Sequence, residues 1–378
     1  MATSKALPRE PKLLVVSLTS RLDTTEVYSC SLLGPRAGDD LLLTIDRIRR
    51  NSLGMVTPSP CYGLTLFFDS ATRAYYVCNA ATRAITRLPD KGVQGRDITT
   101  GLGFDDQTRE YKVVRLIKGY NVHGNKQAVM CDVYTAGAHC WRPAAREVPL
   151  GLFQFAISAI THASMNKVPP VFANGFLHWL ICPNLLACGR PGSAIILFSV
   201  ADETFGSVPS PPFWGPKEQQ RPWHHARDEH LVVMDHQVCI VRYLRHIIAP
   251  LSDALEIWGL LDYGSGDWSM NHRIDLCGHI GRKLGYPQSL RVIGSVGNCS
   301  SGKKIVIATT NYTFQEKVYT YDPRCQVLRH IHCSAASSNA GPKFSLFDES
   351  LAPVHKSDKE LALPSTLAKA TRETTAPN

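Results

Sequence analysis

One short element recurs along this chain about every sixty residues. Each copy reads as a strand, a turn rich in Asp, Asn, Gly or Thr, and a second short strand that ends near Trp, Phe or Pro. The copies are Tyr75–Pro89, Val133–Ala144, Ile196–Pro212, Leu255–Ile274 and Val318–Ile331. A single hairpin cannot bury its apolar faces, whereas a stack of similar hairpins can. The repeat therefore indicates an all-β repeat architecture.

The spacing of the repeat favours a β-propeller. Three to four short strands per copy, repeated roughly five or six times, predict a kelch-like ring of about six blades over residues 12–354. Inner strands of a propeller are covered on both sides, which accounts for nearly continuous apolar runs such as Gln237–Leu244. Residues 1–11 and 355–378 are polar and lack a period, so we predict disordered termini. A pair of β-sandwich domains is the competing architecture.

Two local predictions are specific enough to test. Asn174-Gly175 lies between two apolar runs and suits a type I′ hairpin turn, which needs two positive φ angles. Asp39–Arg50 is predicted as a short helix, because Leu41, Ile45 and Ile48 would share one helical face.

Composition restricts the class of partner and the compartment. The chain has 378 residues and a formal net charge of +9, but its bases are scattered, and the densest cluster is Arg47, Arg49 and Arg50. We therefore expect no nucleic acid partner. No apolar run approaches the ~20 residues that span a bilayer, so no membrane partner is expected either. Twelve cysteines without a C-x-x-C pair, and a start without a signal sequence, predict reduced thiols and a cytoplasmic or nuclear location.

Several segments resemble catalytic or metal-binding motifs. Gly297–Lys304 nearly matches a phosphate-binding loop, but Lys304 stands where a hydroxyl is required and a strand follows, so a hairpin loop is favoured. His224, His225, His230 and His236 cluster without a zinc-binding spacing, which favours a solvated loop.

Acidic pairs are the remaining candidates for chemistry. Asp105-Asp106 and Asp202-Glu203 lie in predicted turns, where an acidic side chain caps the backbone. His178 is interpreted as a hydrogen-bonded histidine of the sheet. We therefore predict no catalytic residue, no metal site and no cofactor.

The tryptophans divide into two groups. Trp141, Trp179, Trp258 and Trp268 recur with the repeat and are predicted to fill space between blades. Trp214 and Trp223 lie in a Pro-rich loop outside it. These two are the candidate partner-binding residues, because Trp dominates interface hot spots. The structural alternative is that the loop packs onto a blade edge.

Five motifs in order resemble one known family. Gly101–Val114 is similar to the Gly-Phe-Gly-Tyr-Asp…Asp-Tyr-Lys-Val-Val signature of plant F-box-associated domains. Four later segments resemble further motifs of that family: Val171–Leu180, Ile196–Pro212, Leu255–Leu276 and Phe347–Leu351. The resemblance covers roughly residues 60–352. It implies a propeller that binds a target protein for a Skp–cullin–F-box ubiquitin ligase, without catalysis.

The first part of the chain departs from the family pattern. Nothing in residues 1–60 resembles the helical F-box that docks onto a Skp adaptor, so we expect no Skp binding by this chain and an unidentified target protein as partner. A propeller enzyme, such as a glycoside hydrolase or oxidase, is the alternative function. A glycan-binding propeller is a third.

Overall fold

The computed structural model describes residues 12–354 apart from short gaps at 19–23, 33–39, 47, 49–51, 58–59, 93–96, 121–126, 183–184, 187–191, 215–228, 246–252, 286, 298–301, 334–343 and 348. Both predicted disordered termini, residues 1–11 and 355–378, lie outside the described residues. Within the described part of the chain, 24 strands form six four-stranded antiparallel sheets. No helix in this part is long and apolar enough to cross a bilayer.

The six sheets are the blades, and in each the first-named strand lies innermost and the last-named outermost. Blade 1 is closed by a strand from the C-terminal part of the chain and contains β24 (Phe344–Phe347), β1 (Lys12–Leu18), β2 (Thr24–Ser31) and β3 (Asp40–Asp46). Blade 2 contains β4 (Leu53–Met55), β5 (Thr65–Asp69), β6 (Ala74–Asn79) and β7 (Ala84–Arg87). Blade 3 contains β8 (Asp97–Asp105), β9 (Glu110–Tyr120), β10 (Gln127–Thr135) and β11 (Arg142–Pro143).

The second half of the ring repeats this order. Blade 4 contains β12 (Val171–Ala173), β13 (Phe176–Leu180), β14 (Ser193–Ser199) and β15 (Phe205–Pro209). Blade 5 contains β16 (Glu229–Met234), β17 (Gln237–Leu244), β18 (Ala254–Asp262) and β19 (Asp267–Asp275). Blade 6 contains β20 (Ser289–Val296), β21 (Lys304–Thr310), β22 (Glu316–Asp322) and β23 (Val327–Cys333). Helix α1 (Phe153–Asn166) connects blades 3 and 4, and α2 (His279–Leu284) connects blades 5 and 6.

The sheets close into a ring, because each interface between neighbouring blades holds its own apolar cluster. In β1, Leu13 and Val15 pack toward blade 6, whereas Leu14 and Val16 pack toward blade 2. Successive side chains of a strand point to opposite faces, so a strand covered on both sides is apolar throughout. The predicted propeller is confirmed, and so is the explanation of the apolar run Gln237–Leu244.

The recurring element corresponds to the two outer strands of a blade. Each of the five copies spans the third and fourth strands of blades 2 to 6. The Asn174-Gly175 turn is also confirmed: Asn174 has φ 52° and Gly175 has φ 80°, and Ala173 pairs with Phe176 across the turn.

The predicted helix over Asp39–Arg50 is wrong, since Asp40–Asp46 is the strand β3. Its burial alternates, with Leu43 and Ile45 buried and Leu41 46% exposed. Pairing with β2 overrides the helical spacing of the apolar residues. Conversely, the sequence analysis does not predict helix α1. Its buried residues Ala159 and Ile160 pack into the cluster between blades 3 and 4.

Candidate functional site

A cavity of about 630 Å³ lies between blades 2 and 3. We define the upper face of the ring as the end that carries the β5–β6 turn and the connections between blades. The cavity is at this face, because its lining includes that turn, the connection after β7 and the residues that follow α1. We name it the blade 2–3 pocket; its charged lining residues are Arg73, Asp90, Lys91, Arg115 and Lys167.

Arg115 is the buried cation of the blade 2–3 pocket. It lies in the middle of β9, where odd-numbered side chains face blade 2 and even-numbered ones face blade 4. The side chain is 5% exposed and one Nη donates to Asp132 Oδ2 at 3.0 Å. The guanidinium carbon lies 4.4 Å from the ring centroid of Trp141, a cation–π geometry. Two contacts with its own blade thus hold Arg115 against the cavity.

A shared carboxylate connects Arg115 to a second cation. Lys91 Nζ lies 2.7 Å from Asp132 Oδ1, so one buried carboxylate serves two positive groups. The Trp141 indole N–H donates to Pro89 O at 2.8 Å and fixes the connection that carries Lys91. The geometry leaves this wall of the pocket with an excess of positive charge.

The opposite wall, from blade 2, is aromatic. The rings of Phe68 and Tyr75 lie 4.7 Å apart, and Thr100 Oγ1 donates to the Tyr75 hydroxyl at 2.9 Å. Burial raises the pKa of Tyr75, and the Thr100 hydrogen bond lowers it less. Tyr75 is therefore a neutral phenol at physiological pH and offers an O–H rather than a negative charge.

Two exposed cations lie at the rim. Arg73 is in the β5–β6 turn with φ 57°, and Lys167 caps the C-terminus of α1 in the left-handed conformation. In contrast, the one lining carboxylate, Asp90, forms an ion pair with Arg87 at 2.8 Å. The pocket therefore presents four lining cations, hydroxyl groups and aromatic rings, a combination that suits an anionic ligand.

The predicted partner-binding tryptophans do not line this pocket. Trp214 is 7% exposed, packs in the cluster between blades 4 and 5, and donates to Glu229 Oε2 at 3.2 Å. The burial of Trp214 agrees with the structural alternative, in which this residue packs against a blade, and a partner-binding role for it stays a prediction. Trp223 lies outside the described residues, and a partner-binding role for it stays a prediction.

The repeat tryptophans fill space between blades as predicted. Trp268 donates to Pro209 O at 3.2 Å, just as Trp141 donates to Pro89 O. In both cases an indole N–H of one blade bonds the carbonyl of a proline at the end of the preceding blade. Trp179 is 1% exposed and donates to Thr99 Oγ1 of the neighbouring blade at 3.1 Å.

Two buried histidines, His178 and His230, serve the fold. Burial lowers the pKa of His178 to about 4, and its ring nitrogens lie near Val171 O and the Tyr263 hydroxyl. Burial, together with Arg291, lowers the pKa of His230 to about 3, and its Nε2 accepts the Val292 N–H at 3.0 Å. His224 and His225 lie outside the described residues. Across the described ranges no group of three or more His, Cys, Asp or Glu could hold a metal ion.

The remaining motifs are turns, with one exception. Val296 pairs with Lys304, so Gly297–Lys304 is the predicted hairpin loop, of which residues 298–301 lie outside the described part. Asp105 Oδ1 accepts the Gln107 and Thr108 amides, which confirms its turn role. For Glu203 the turn-capping prediction is wrong: its buried carboxylate accepts from Arg142 and the Ala145 N–H of blade 3.

One signal in the sequence pointed to the pocket and was missed. Arg115 interrupts the apolar run Tyr111–Ile117, and a cation in a strand covered on both faces needs either a partner or a ligand. No sequence signal brings Arg73, Lys91 and Lys167 beside it, because their convergence depends on the ring.

The family model of the F-box associated β-propeller domain matches residues 12–349. The chain belongs to this family. The match begins almost fifty residues before the resemblance seen in the sequence, and blade 1 explains why: residues from Lys12 onward already form strands of the propeller. Residues 12–55 therefore contribute β1 to β4.

Known relatives agree with the family. An F-box protein of Arabidopsis thaliana is 25% identical over 292 residues, which cover 70% of this chain and 65% of the relative. A second Arabidopsis thaliana F-box protein is 23% identical and covers 60% of this chain and 47% of the relative. The F-box-associated chain thus spans about half to two thirds of the length of these relatives.

Solved structures also align with most of the chain. A lectin of Aleuria aurantia is 10% identical, with 88% of this chain and 97% of the lectin covered and a TM-score of 0.38. A periplasmic gluconolactonase of Pseudomonas aeruginosa is also 10% identical, with coverages of 90% and 99% and a TM-score of 0.38. Similarity at this level says nothing about function.

Proposed function

We propose that this propeller is the target-binding domain of an F-box-type ubiquitin ligase adaptor and that it acts by binding alone. The observation that carries the proposal is the family match over residues 12–349, which spans all six blades. Rigid scaffolds of this kind present their contacts on the loops of one face. In this propeller the upper face combines loops from blades 2 and 3 with the end of α1 around one pocket.

The arrangement of carboxylates supports a role without catalysis. A glycosidase needs two acidic groups that flank the reacting bond. Three of the buried acids that the structure describes, Asp132, Glu203 and Glu256, form ion pairs with arginines, and Asp105 pairs with Lys112, so these four are held in structural contacts. The single carboxylate of the blade 2–3 pocket, Asp90, is likewise paired. Target binding is favoured over hydrolysis for this reason.

Skp docking is not part of the proposal for residues 12–354, because the described segment from Lys12 to Met55 already forms strands. The cytoplasmic or nuclear location expected from the sequence also stays a prediction.

The test has two stages. Proteins crosslinked to the chain in plant cells are identified, and each is then purified and titrated against the purified chain. A direct partner should bind at micromolar concentrations or tighter, and fusion of the propeller to an F-box module should cause ubiquitination and loss of that partner in cells. The proposal is overturned when no purified protein binds directly, or when the purified chain turns over glycoside or lactone substrates.

A further inference from the structure

The blade 2–3 pocket carries more positive charge than its own carboxylates can neutralise. Asp132 is shared by Arg115 and Lys91, and Asp90 is engaged by Arg87. Arg73 and Lys167 add two exposed cations at the rim. Charge of one sign in a concave site attracts ligands of the opposite sign, since the low-dielectric walls focus the field.

The buried Arg115 also has a donor to spare. Its Nε has no hydrogen-bond partner among the residues that the structure describes, although the side chain is only 5% exposed. A buried donor without an acceptor is unfavourable, and native structures rarely leave one. Because Arg115 lines the cavity, its guanidinium charge acts on an anionic group that enters there.

The shape of the site favours a peptide over a small free anion. A volume of about 630 Å³ is far larger than one carboxylate or phosphate group. The lining cations include buried Arg115 as well as exposed Arg73 and Lys167, which come from blade 3, blade 2 and the end of α1. Phe68, Val168 and Pro169 add apolar lining that would contact side chains flanking an acidic residue.

We propose that the blade 2–3 pocket binds an acidic segment of a target polypeptide. One carboxylate or phosphate of the segment contacts Arg115 and Lys91, and flanking acidic groups contact Arg73 and Lys167. The inference rests on the proposed function, because it names the chemistry that the propeller recognises in its target.

The chain supplies a matched pair of variants. Arg73 and Arg83 each end an Ala-Thr-Arg turn, at φ 57° and 61°, and both are exposed. The two turns lie at opposite ends of β6, so Arg73 borders the pocket and Arg83 lies on the lower face. Arg73→Gln and Arg83→Gln therefore remove the same charge from the same local structure. Arg115→Lys keeps a buried charge beside Asp132 but removes the planar guanidinium that lines the pocket.

The probe is a display library of random short peptides selected on the purified chain, with the selected peptides then measured by fluorescence anisotropy. We expect enrichment in Asp and Glu and weaker binding at higher ionic strength. Arg73→Gln should weaken binding roughly fivefold and Arg115→Lys roughly tenfold or more, whereas Arg83→Gln should leave it unchanged. Thermal unfolding of every variant verifies that it is folded.

Further measurements distinguish an acidic peptide from a small free anion as the ligand. Replacement of the selected glutamates by phosphoserine should preserve binding, and replacement by glutamine should abolish it. Binding of citrate or inorganic phosphate without any selected peptide would overturn the peptide proposal in favour of a small-anion site. Peptides that are neutral, or that bind equally well to Arg73→Gln and Arg83→Gln, would reject the acidic pocket and leave the target-binding function standing.

Discussion

Glu203 connects blades 3 and 4. Its replacement by glutamine tests how much these contacts contribute to the stability of the propeller. The residue lies in the β14–β15 turn and is 4% exposed. Its carboxylate accepts from Arg142 Nη1 at 2.7 Å and from the Ala145 amide at 2.8 Å, and it lies 3.4 Å from Lys112 Nζ. Glutamine preserves the volume and can still accept from Ala145, but it removes the charge that faces two cations.

The size of the destabilisation depends on the partners that Lys112 and Arg142 keep after the substitution. Removal of one partner of a buried ion pair costs about 3–5 kcal/mol when the other charge is left alone. Lys112 still has Asp105 at 3.0 Å and Val200 O at 2.9 Å. Arg142 is 47% exposed, so water can solvate it. We therefore expect Glu203→Gln to lower the free energy of unfolding by about 2 kcal/mol at neutral pH.

The pH dependence has a defined sign. Burial raises the pKa of Glu203, but the hydrogen bonds from Arg142 and Ala145 outweigh it and lower the pKa from 4.5 to about 2. Since the folded pKa lies below the unfolded value, the stabilisation is complete above pH 4.5 and is lost as the pH falls toward 2. Titration of one group can change the unfolding free energy by at most about 1.4 kcal/mol per pH unit. We expect roughly half of that slope for Glu203, because Arg142 is partly solvated.

Urea unfolding followed by tryptophan fluorescence, at neutral pH and at a series of values below pH 4.5, measures both effects. Asp202→Asn is the control, because this exposed neighbour in the same turn contacts the Ser199 hydroxyl at 2.9 Å. It should change the unfolding free energy by less than about 0.5 kcal/mol. The reasoning is refuted if Glu203→Gln matches this control, or if its deficit does not shrink in acid.

Three further predictions concern closure and turns. Asn79→Ala should lower the unfolding free energy by roughly 2–3 kcal/mol in urea titrations, because the buried Asn79 amide bonds the carbonyls of Ser350 and Ala352. Gly266→Ala should cost about 1–3 kcal/mol, since its Cβ would lie 2.4 Å from Pro209 at φ 65°, whereas Gly264→Ala should be nearly neutral. A chain that ends at residue 343 lacks β24 and leaves one edge of β1 unpaired, so it should melt at a lower temperature and associate in size-exclusion chromatography.

The fold was predictable from the sequence because its main signal is local. The outer hairpins of blades 2 to 6 carry recognisable turns, and two-sided burial makes the inner strands largely apolar. Blade 1 was not predictable in the same way. Its innermost strand, β24, lies more than three hundred residues after β1 in the sequence, and β3 has an apolar spacing that also fits a helix.

The candidate site could not be predicted from the sequence, and the reason is different. The blade 2–3 pocket gathers residues from Ser52 to Pro169, from two blades and a helix that the strand pattern did not indicate. Trp214 is a candidate by residue type, but residue type does not reveal that this side chain packs in the cluster between blades 4 and 5. A charged residue within an apolar strand is the better signal, since its burial demands an explanation.

Strand β9 shows that a buried charged residue in an apolar strand can have either a structural role or a binding role. It carries two buried cations three residues apart, Lys112 and Arg115, which consequently face opposite neighbours. Lys112 meets Asp105, Glu203 and the Val200 carbonyl, one acceptor for each of its three protons. Arg115 shares one carboxylate with Lys91 and contacts one aromatic ring, its Nε has no hydrogen-bond partner among the described residues, and the residue lines a cavity.

These two environments predict opposite consequences of substitution. Lys112→Met should lower the unfolding free energy by about 3 kcal/mol, since it leaves Asp105 buried without its cation, yet it should not affect the binding of acidic peptides at the other face of the strand. Arg115→Lys should lower the unfolding free energy by less than about 1 kcal/mol, because charge remains beside Asp132, and it should weaken that binding roughly tenfold or more. Urea unfolding and peptide anisotropy on the same two variants compare these outcomes directly. If both substitutions reduce stability and binding in parallel, Arg115 is a structural cation like Lys112, and the pocket has no ligand of the proposed class.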